Sequence, residues 1–240
     1  MNWEPELKFG ILVRKPEVRM AEDLKPVLME PDLLSENFPA YFMYRDLYKS
    51  EEDRKKIVDH SLRYDVTVIP PATVGKEYIK THGHYHPKAN KVSYTELYEV
   101  IEGRAIYLLQ KREGEDNRIV DALAVLAEKG DKVVIPPDYG HVTINPSDEV
   151  LKMANWVCRE FSSIYEPYRK LRGGCYYYTA EGWVKNENYD APEIKIVKPV
   201  IPDWLCISKE EDMYSLVNDI DVLRFLVDPA CVDYEVFEEV

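Results

Sequence analysis

Residues 81 to 86 read "THGHYH" and hold three of the five histidines in a chain of 240 residues. Imidazole is a common transition-metal ligand, and on an extended strand residues two apart share one face. Read as a strand, the stretch sets its histidines on one side and Tyr85 on the outer face. The break at Pro87 to Asn90 is expected to turn the chain back, so that the next strand lies beside it. On that next strand Glu96 has the parity of Tyr94, Tyr98 and Val100, while Thr95, Leu97 and Glu99 face the other way, which aims Glu96 at the same interior as His84 and His86. His141, after the rigid turn "PPDYG", offers a fourth ligand. Three imidazoles and one carboxylate suit Fe(II), Mn(II), Ni(II) or Zn(II), with positions left for water or substrate oxygens.

The elements that must hold these residues are mainly β. From about Tyr64 to Trp156, short apolar and polar alternations such as "YDVTVIP", "RAIYLLQKR" and "GDKVVIP" are separated by Pro, Gly, Asn and Asp turns, the pattern of a sandwich or jelly-roll barrel. Before them, "FPAYFMYRDLY" reads as an edge strand and "KSEEDRKKIVDH" as a charged helix or loop. Beyond about Tyr178 the pattern turns helical: Ser208 and Glu211 have capping-box spacing, and "DIDVLRFLVDP" carries apolar residues at helical intervals before Pro229.

With 31 basic and 44 acidic residues the formal charge is −13, which argues against nucleic acid or an anionic membrane as partner. Cys158, Cys175, Cys206 and Cys231 are too widely spaced for a disulfide framework or thiolate zinc site and read as free thiols. No apolar run reaches membrane-spanning length, and "MNWEPELKFG" lacks the order of a signal peptide, so a soluble, cytoplasmic protein is expected.

Two blocks make a resemblance specific. Glu96 precedes Gly103, and "GDKVVIPPDYGHVTIN" sets Gly130, Pro136, His141 and Asn145 in the order that the cupin superfamily uses. The chain departs from that pattern in the nine residues between His86 and Glu96, which implies a longer hairpin, and in Asp138, where glycine is common. Within the cupins it resembles the archaeal, cupin-type glucose-6-phosphate isomerases over roughly residues 64 to 165, through Thr81, Gly83, His84, His86, Glu96 and Tyr98.

That resemblance implies a cupin jelly-roll barrel, expected over 61–178; N-terminal strands in 1–60 are expected to pack on it, and the partly helical extension in 179–240 goes beyond the family core. It implies interconversion of glucose 6-phosphate and fructose 6-phosphate, with one divalent metal per subunit, Fe(II) foremost, held by His84, His86, Glu96 and His141. Thr67, Thr81 and Gly83 correspond to phosphate contacts. Tyr41, Tyr98 and Tyr165 correspond to tyrosines that touch substrate. Thr67 is expected to face the cavity while Val66 and Val68 face another sheet. His82 stands where the family usually has lysine and is expected at the pocket rim or near the phosphate. Ser163 replaces a histidine assigned to ring opening. Glu96 is a candidate base for proton transfer, with a metal-assisted hydride shift as the alternative. A homodimer is expected. Competing readings are a metal cupin dioxygenase, a non-enzymatic sugar-phosphate-binding cupin, and added phosphomannose isomerase activity.

Overall fold

The computed structural model describes residues 6–240, so positions 1–5 of the N-terminal segment lie outside the described residues. Eleven strands build two sheets: β1 (Glu17–Met20), β2 (Pro39–Tyr44), β3 (Leu62–Ile69), β4 (Glu96–Glu102), β5 (Arg104–Arg112), β6 (Ile119–Glu128), β7 (Lys132–Ile135), β8 (Tyr139–Ile144), β9 (Leu151–Cys158), β10 (Lys195–Pro199) and β11 (Phe237–Glu239). The first sheet runs β7–β4–β9–β3–β2–β1 and the second β8–β5–β6–β10–β11. Among these eleven strands β6 and β10 pair in parallel and the other neighbours pair antiparallel. The protein is thus mainly β, a jelly-roll arrangement of two facing sheets.

Alternation along the strands makes two cores. Tyr98, Val100, Leu151 and Met153 of the first sheet meet Tyr107, Leu109, Val142 and Ile144 of the second between the sheets, with the Tyr98 and Tyr107 ring centroids 5.1 Å apart. Residues of opposite parity, among them Tyr64, Val66, Leu97, Val134, Ala154 and Trp156, form a second core on the outer face of the first sheet. Two elements cover that face. One is helix α1 (Glu51–Asp59), where Ser50 Oγ caps the Asp53 N–H at 3.1 Å and Glu51, Glu52 and Asp53 occupy the positive end of the helix dipole. The other is the C-terminal segment, tied down by the Trp156 Nε1–H bond to the Met213 carbonyl at 3.1 Å. Val66 and Val68 therefore face this cover rather than a second sheet.

Two expectations need correction. The "FPAYFMY" strand is not an edge: β2 lies between β3 and β1, and the edge is β1. The C-terminal helical stretch does not start at Ser208: it spans Met213–Leu226, is 3₁₀ in form and is kinked at Asp219 (φ −130°, ψ 61°). Beyond the kink Ile220, Leu223 and Leu226 repeat every three residues, and all three are buried; side chains three apart eclipse on a 3₁₀ helix, so that form sets them in one buried row. Glu211 does accept the Ser208 N–H at 2.9 Å, but the helix begins later, capped by Asp212 on the Tyr214 N–H at 2.9 Å. Among the described residues no helix is long and apolar enough to cross a membrane.

Candidate metal centre

The histidine stretch is not a regular strand. It runs along β8 through isolated bridges, Lys80 to Ile144 and His84 to His141, with the His141 N–H donating to the His84 carbonyl at 3.0 Å. Gly83 interrupts it with φ +80°, and a Cβ there would sit 2.7 Å from both Tyr168 and Val142. Only glycine meets both demands. Beyond this break strict alternation fails and His82 no longer shares a face with His84 and His86. Tyr85 is not on an outer face either: it is 3% exposed, its ring lies 5.4 Å from Tyr168, and its hydroxyl accepts the Gln110 amide at 2.8 Å.

Glu96 also arrives by a different route from the expected one. Its strand, β4, is in the facing sheet, and the strand beside the histidines is the one that carries His141. The nine-residue connection crosses between sheets through a small hairpin, Lys88–Ala89 with Val92–Ser93. Asp138, the second departure from the family pattern, adopts φ +69°. Aspartate tolerates this left-handed conformation better than most residues, and here it bonds the added hairpin through Ser93.

His84, His86, Glu96 and His141 converge so that one ligand atom from each lies within 4.8 Å of all the others. Glu96 Oε2 is buried without a hydrogen-bond partner, 3.4 Å from His86 Nε2 and 3.3 Å from His141 Nε2. The Nε2 atoms of His84 and His86 stand 3.1 Å apart. His86 Nδ1–H is committed to the Tyr94 carbonyl at 3.0 Å, which turns its Nε2 lone pair inward. Burial, followed by their histidine neighbours, depresses the His84 pKa far below the usual value; burial also depresses that of His141, against the pull of Glu96. Burial would raise the Glu96 pKa, but the proximity of His141 and His86 outweighs it and holds the carboxyl well below its usual range. Neutral imidazoles and an ionised carboxylate crowded around one point repel through their lone pairs, and a divalent cation there removes the conflict. The donor set fits a metal. His82 is not part of it.

A cleft of about 90 Å³ opens beside this centre. Its walls include Tyr41, Thr67, Thr81, Gly83, Tyr98, Ser163 and Tyr165, so the residues singled out in the sequence share one cavity. Thr81 Oγ1 accepts the Thr143 N–H at 2.9 Å, which leaves its own proton to donate. The Tyr98 hydroxyl lies 3.2 Å from His141 Nε2 and stays protonated, because burial first and the Glu96 carboxylate next raise its pKa well above normal. Wider depressions exist, one of about 570 Å³ lined by residues such as Arg104, Glu128 and Lys209, but among the described residues no ligand set converges in it.

Several contributors were not recognised in the sequence. Asn155 Nδ2 donates to Glu96 Oε1 at 2.7 Å and leaves Oε2 for the centre. Its signal was a polar residue among the apolar neighbours of "MANWV". Phe161 stacks on Tyr94 at 4.7 Å and lies 4.6 Å from His86, closing one side. Arg45 and Arg63 line the cleft and share Asp65 at 3.2 and 2.9 Å.

Two facing sheets and a three-histidine, one-glutamate cluster define a jelly-roll protein of the cupin type with a candidate metal centre. Residues 18–195 match the sequence model of the family described as glucose-6-phosphate isomerase (GPI). The chain belongs to the glucose-6-phosphate isomerase family and is an isomerase of that family. The glucose-6-phosphate isomerase of Thermococcus onnurineus is 34% identical over 145 residues, 60% of this chain and 70% of the relative. That of Pyrococcus abyssi is 31% identical over 139 residues, 56% of this chain and 66% of the relative. Among solved structures, the formate complex of Lactobacillus farciminis oxalate decarboxylase is 20% identical with a TM-score of 0.38, covering 54% of this chain and 32% of that one.

Proposed function

We propose that the protein interconverts glucose 6-phosphate and fructose 6-phosphate with one divalent ion held by His84, His86, Glu96 and His141. The observation that carries this reading is the convergence of those four ligand atoms in a chain of this family. The ion, when bound, would supply positive charge to neighbouring carbonyl and hydroxyl oxygens of the open-chain sugar. Fe(II) is the expected occupant, and Mn(II), Ni(II) or Zn(II) fit the same donors. Metal analysis of the purified protein tests this part: an ion content near zero after purification without chelator, with no uptake on reconstitution, would contradict it.

The remaining work falls to the chain's own groups. Thr67, Thr81 and the Gly83 amide hold the phosphate, and Tyr41 borders it. Tyr98 donates its retained hydroxyl proton to a sugar oxygen as charge grows there, and Tyr165 flanks the bound chain. Asn155 engages Glu96 Oε1, and an ion held at the centre would engage Oε2. That geometry favours direct transfer of hydrogen between C1 and C2 over proton abstraction by Glu96. Turnover in deuterated solvent checks it: no deuterium enters the product if transfer is direct, and wash-in on every turnover would assign a base.

A further inference from the structure

His82 is 3% exposed and lies outside the ligand set. Its partners say what it does. Arg169 Nε–H, which can only donate, points at His82 Nε2 at 3.4 Å, so Nε2 is the acceptor and the ring proton sits on Nδ1, which faces the Gly83 carbonyl at 3.3 Å. The imidazole thereby braces the Arg169 guanidinium against the backbone between Thr81 and His84. The His82 N–H in turn faces the Tyr41 hydroxyl at 3.4 Å. Across β1 and β2, Arg19 stands opposite Tyr41, and its buried Nε has no partner. The Tyr165 ring, 5.2 Å from His82, has Arg169 over its face at 5.8 Å.

The charges here differ from those elsewhere around the cleft. Arg45 and Arg63 are matched by Asp65, and Lys80 by Glu77. Among the described residues neither Arg19 nor Arg169 makes an ion pair. Arg19 and Arg169 stand next to Tyr41 and His82, which line the cleft, and two guanidinium groups without a carboxylate, in a chain of net charge −13, suit a multiply charged anion whose phosphate oxygens match their planar donors. We propose that Arg19 and Arg169 form the anion-receiving end of the cleft for the phosphate of the substrate, and that His82 is the positioning residue that holds Arg169 there. This rests on the sugar-phosphate reading above, and it gives the third histidine of the motif a task separate from the metal.

The test combines calorimetric titration of inorganic phosphate into metal-replete protein with steady-state kinetics on fructose 6-phosphate. Arg19→Gln and Arg169→Gln are each expected to weaken phosphate binding and raise KM by about tenfold, with a much smaller change in kcat and with metal content unaltered. His82→Ala should match Arg169→Gln, the double variant should be no worse than Arg169→Gln alone, and His82→Gln, which retains an acceptor for Arg169, should recover most of the affinity. If the alanine variant does not fold, the two arginine variants still decide. Phosphate affinity unchanged in both, or full additivity in the double variant, overturns the proposal; so does wild-type protein that turns over substrate yet binds no phosphate. Wild-type protein that binds phosphate through these arginines but does not convert fructose 6-phosphate would uphold the anion site and sink the isomerase reading.

Discussion

Ser93 and Asp138 hold each other twice: the Asp138 N–H donates to Ser93 Oγ at 2.6 Å, and the Ser93 N–H donates to Asp138 Oδ1 at 3.0 Å. This pair fastens the hairpin that follows the histidines to the turn that precedes His141. Asp138 also sits at φ +69°, so two substitutions separate its roles. Asp138→Gly keeps the backbone relaxed and loses only the carboxylate bond, a cost of about 1 kcal/mol. Asp138→Ala adds left-handed strain, for about 2 to 3 kcal/mol in all. Chemical denaturation of both variants measures this, and equal losses would show that the conformation is unstrained.

Asn155 tests how the carboxylate ligand is aimed. Asn155→Ala frees Glu96 Oε1, and removal of such a supporting hydrogen bond costs about 10- to 100-fold in metal affinity. Competition with a chromogenic chelator reads this directly. Wild-type affinity in the variant would mean that packing alone orients Glu96.

Lys132 ties the C-terminal segment to the barrel. It is fully buried and donates to Glu99 at 3.2 Å and to the carbonyls of Gly130, Lys209 and Glu211 at 2.9, 3.0 and 2.6 Å. Lys132→Met strands a buried carboxylate and three acceptors, so a loss of about 3 to 5 kcal/mol is expected, read as a lower thermal midpoint and earlier proteolysis beyond residue 205. A melting curve like that of wild type would remove this segment's anchor from the account.

Acid should destabilise the metal-free protein. Burial lowers the His82 pKa to about 4, and burial also depresses His84 and His141. A group with a depressed folded-state pKa binds protons in the unfolded chain first, so below the ordinary histidine pKa of about 6.5 stability falls as pH falls. The loss continues until each folded-state pKa is passed. Glu96, also depressed, adds a further loss below its ordinary carboxylate range. Thermal midpoints that stay flat from pH 7 to about pH 4.5 would contradict buried neutral imidazoles.

Much of the centre was legible because period two is a strict rule wherever one face is buried. The parity that separated Glu96 and Tyr98 from Leu97 and Glu99 is the division between the inner and outer cores. Alternation breaks at "THGHYH" because Gly83 takes a left-handed conformation open to no other residue there, and His82 lines the cleft outside the ligand set; Tyr85 was misplaced because Tyr168 and Gln110 cover the face it points to. Arg19 and Arg169 were invisible because 150 residues separate them in sequence; the pairing of β1 with β2 sets Arg19 opposite Tyr41, and Arg169 reaches His82, so that each stands beside a residue that lines the cleft. The C-terminal stretch was legible as helical but not as 3₁₀, because apolar spacing over so short a window does not separate a period of 3.0 from one of 3.6.

A coupled assay for glucose 6-phosphate formed from fructose 6-phosphate bears most directly on the central claim, performed on one preparation as purified, after EDTA, and after reconstitution with Fe(II). The account predicts turnover that the chelator abolishes and the metal restores, with His84→Ala inactive throughout. Protein carrying one ion per chain that forms no glucose 6-phosphate, or that works equally well with the ion removed, would contradict it.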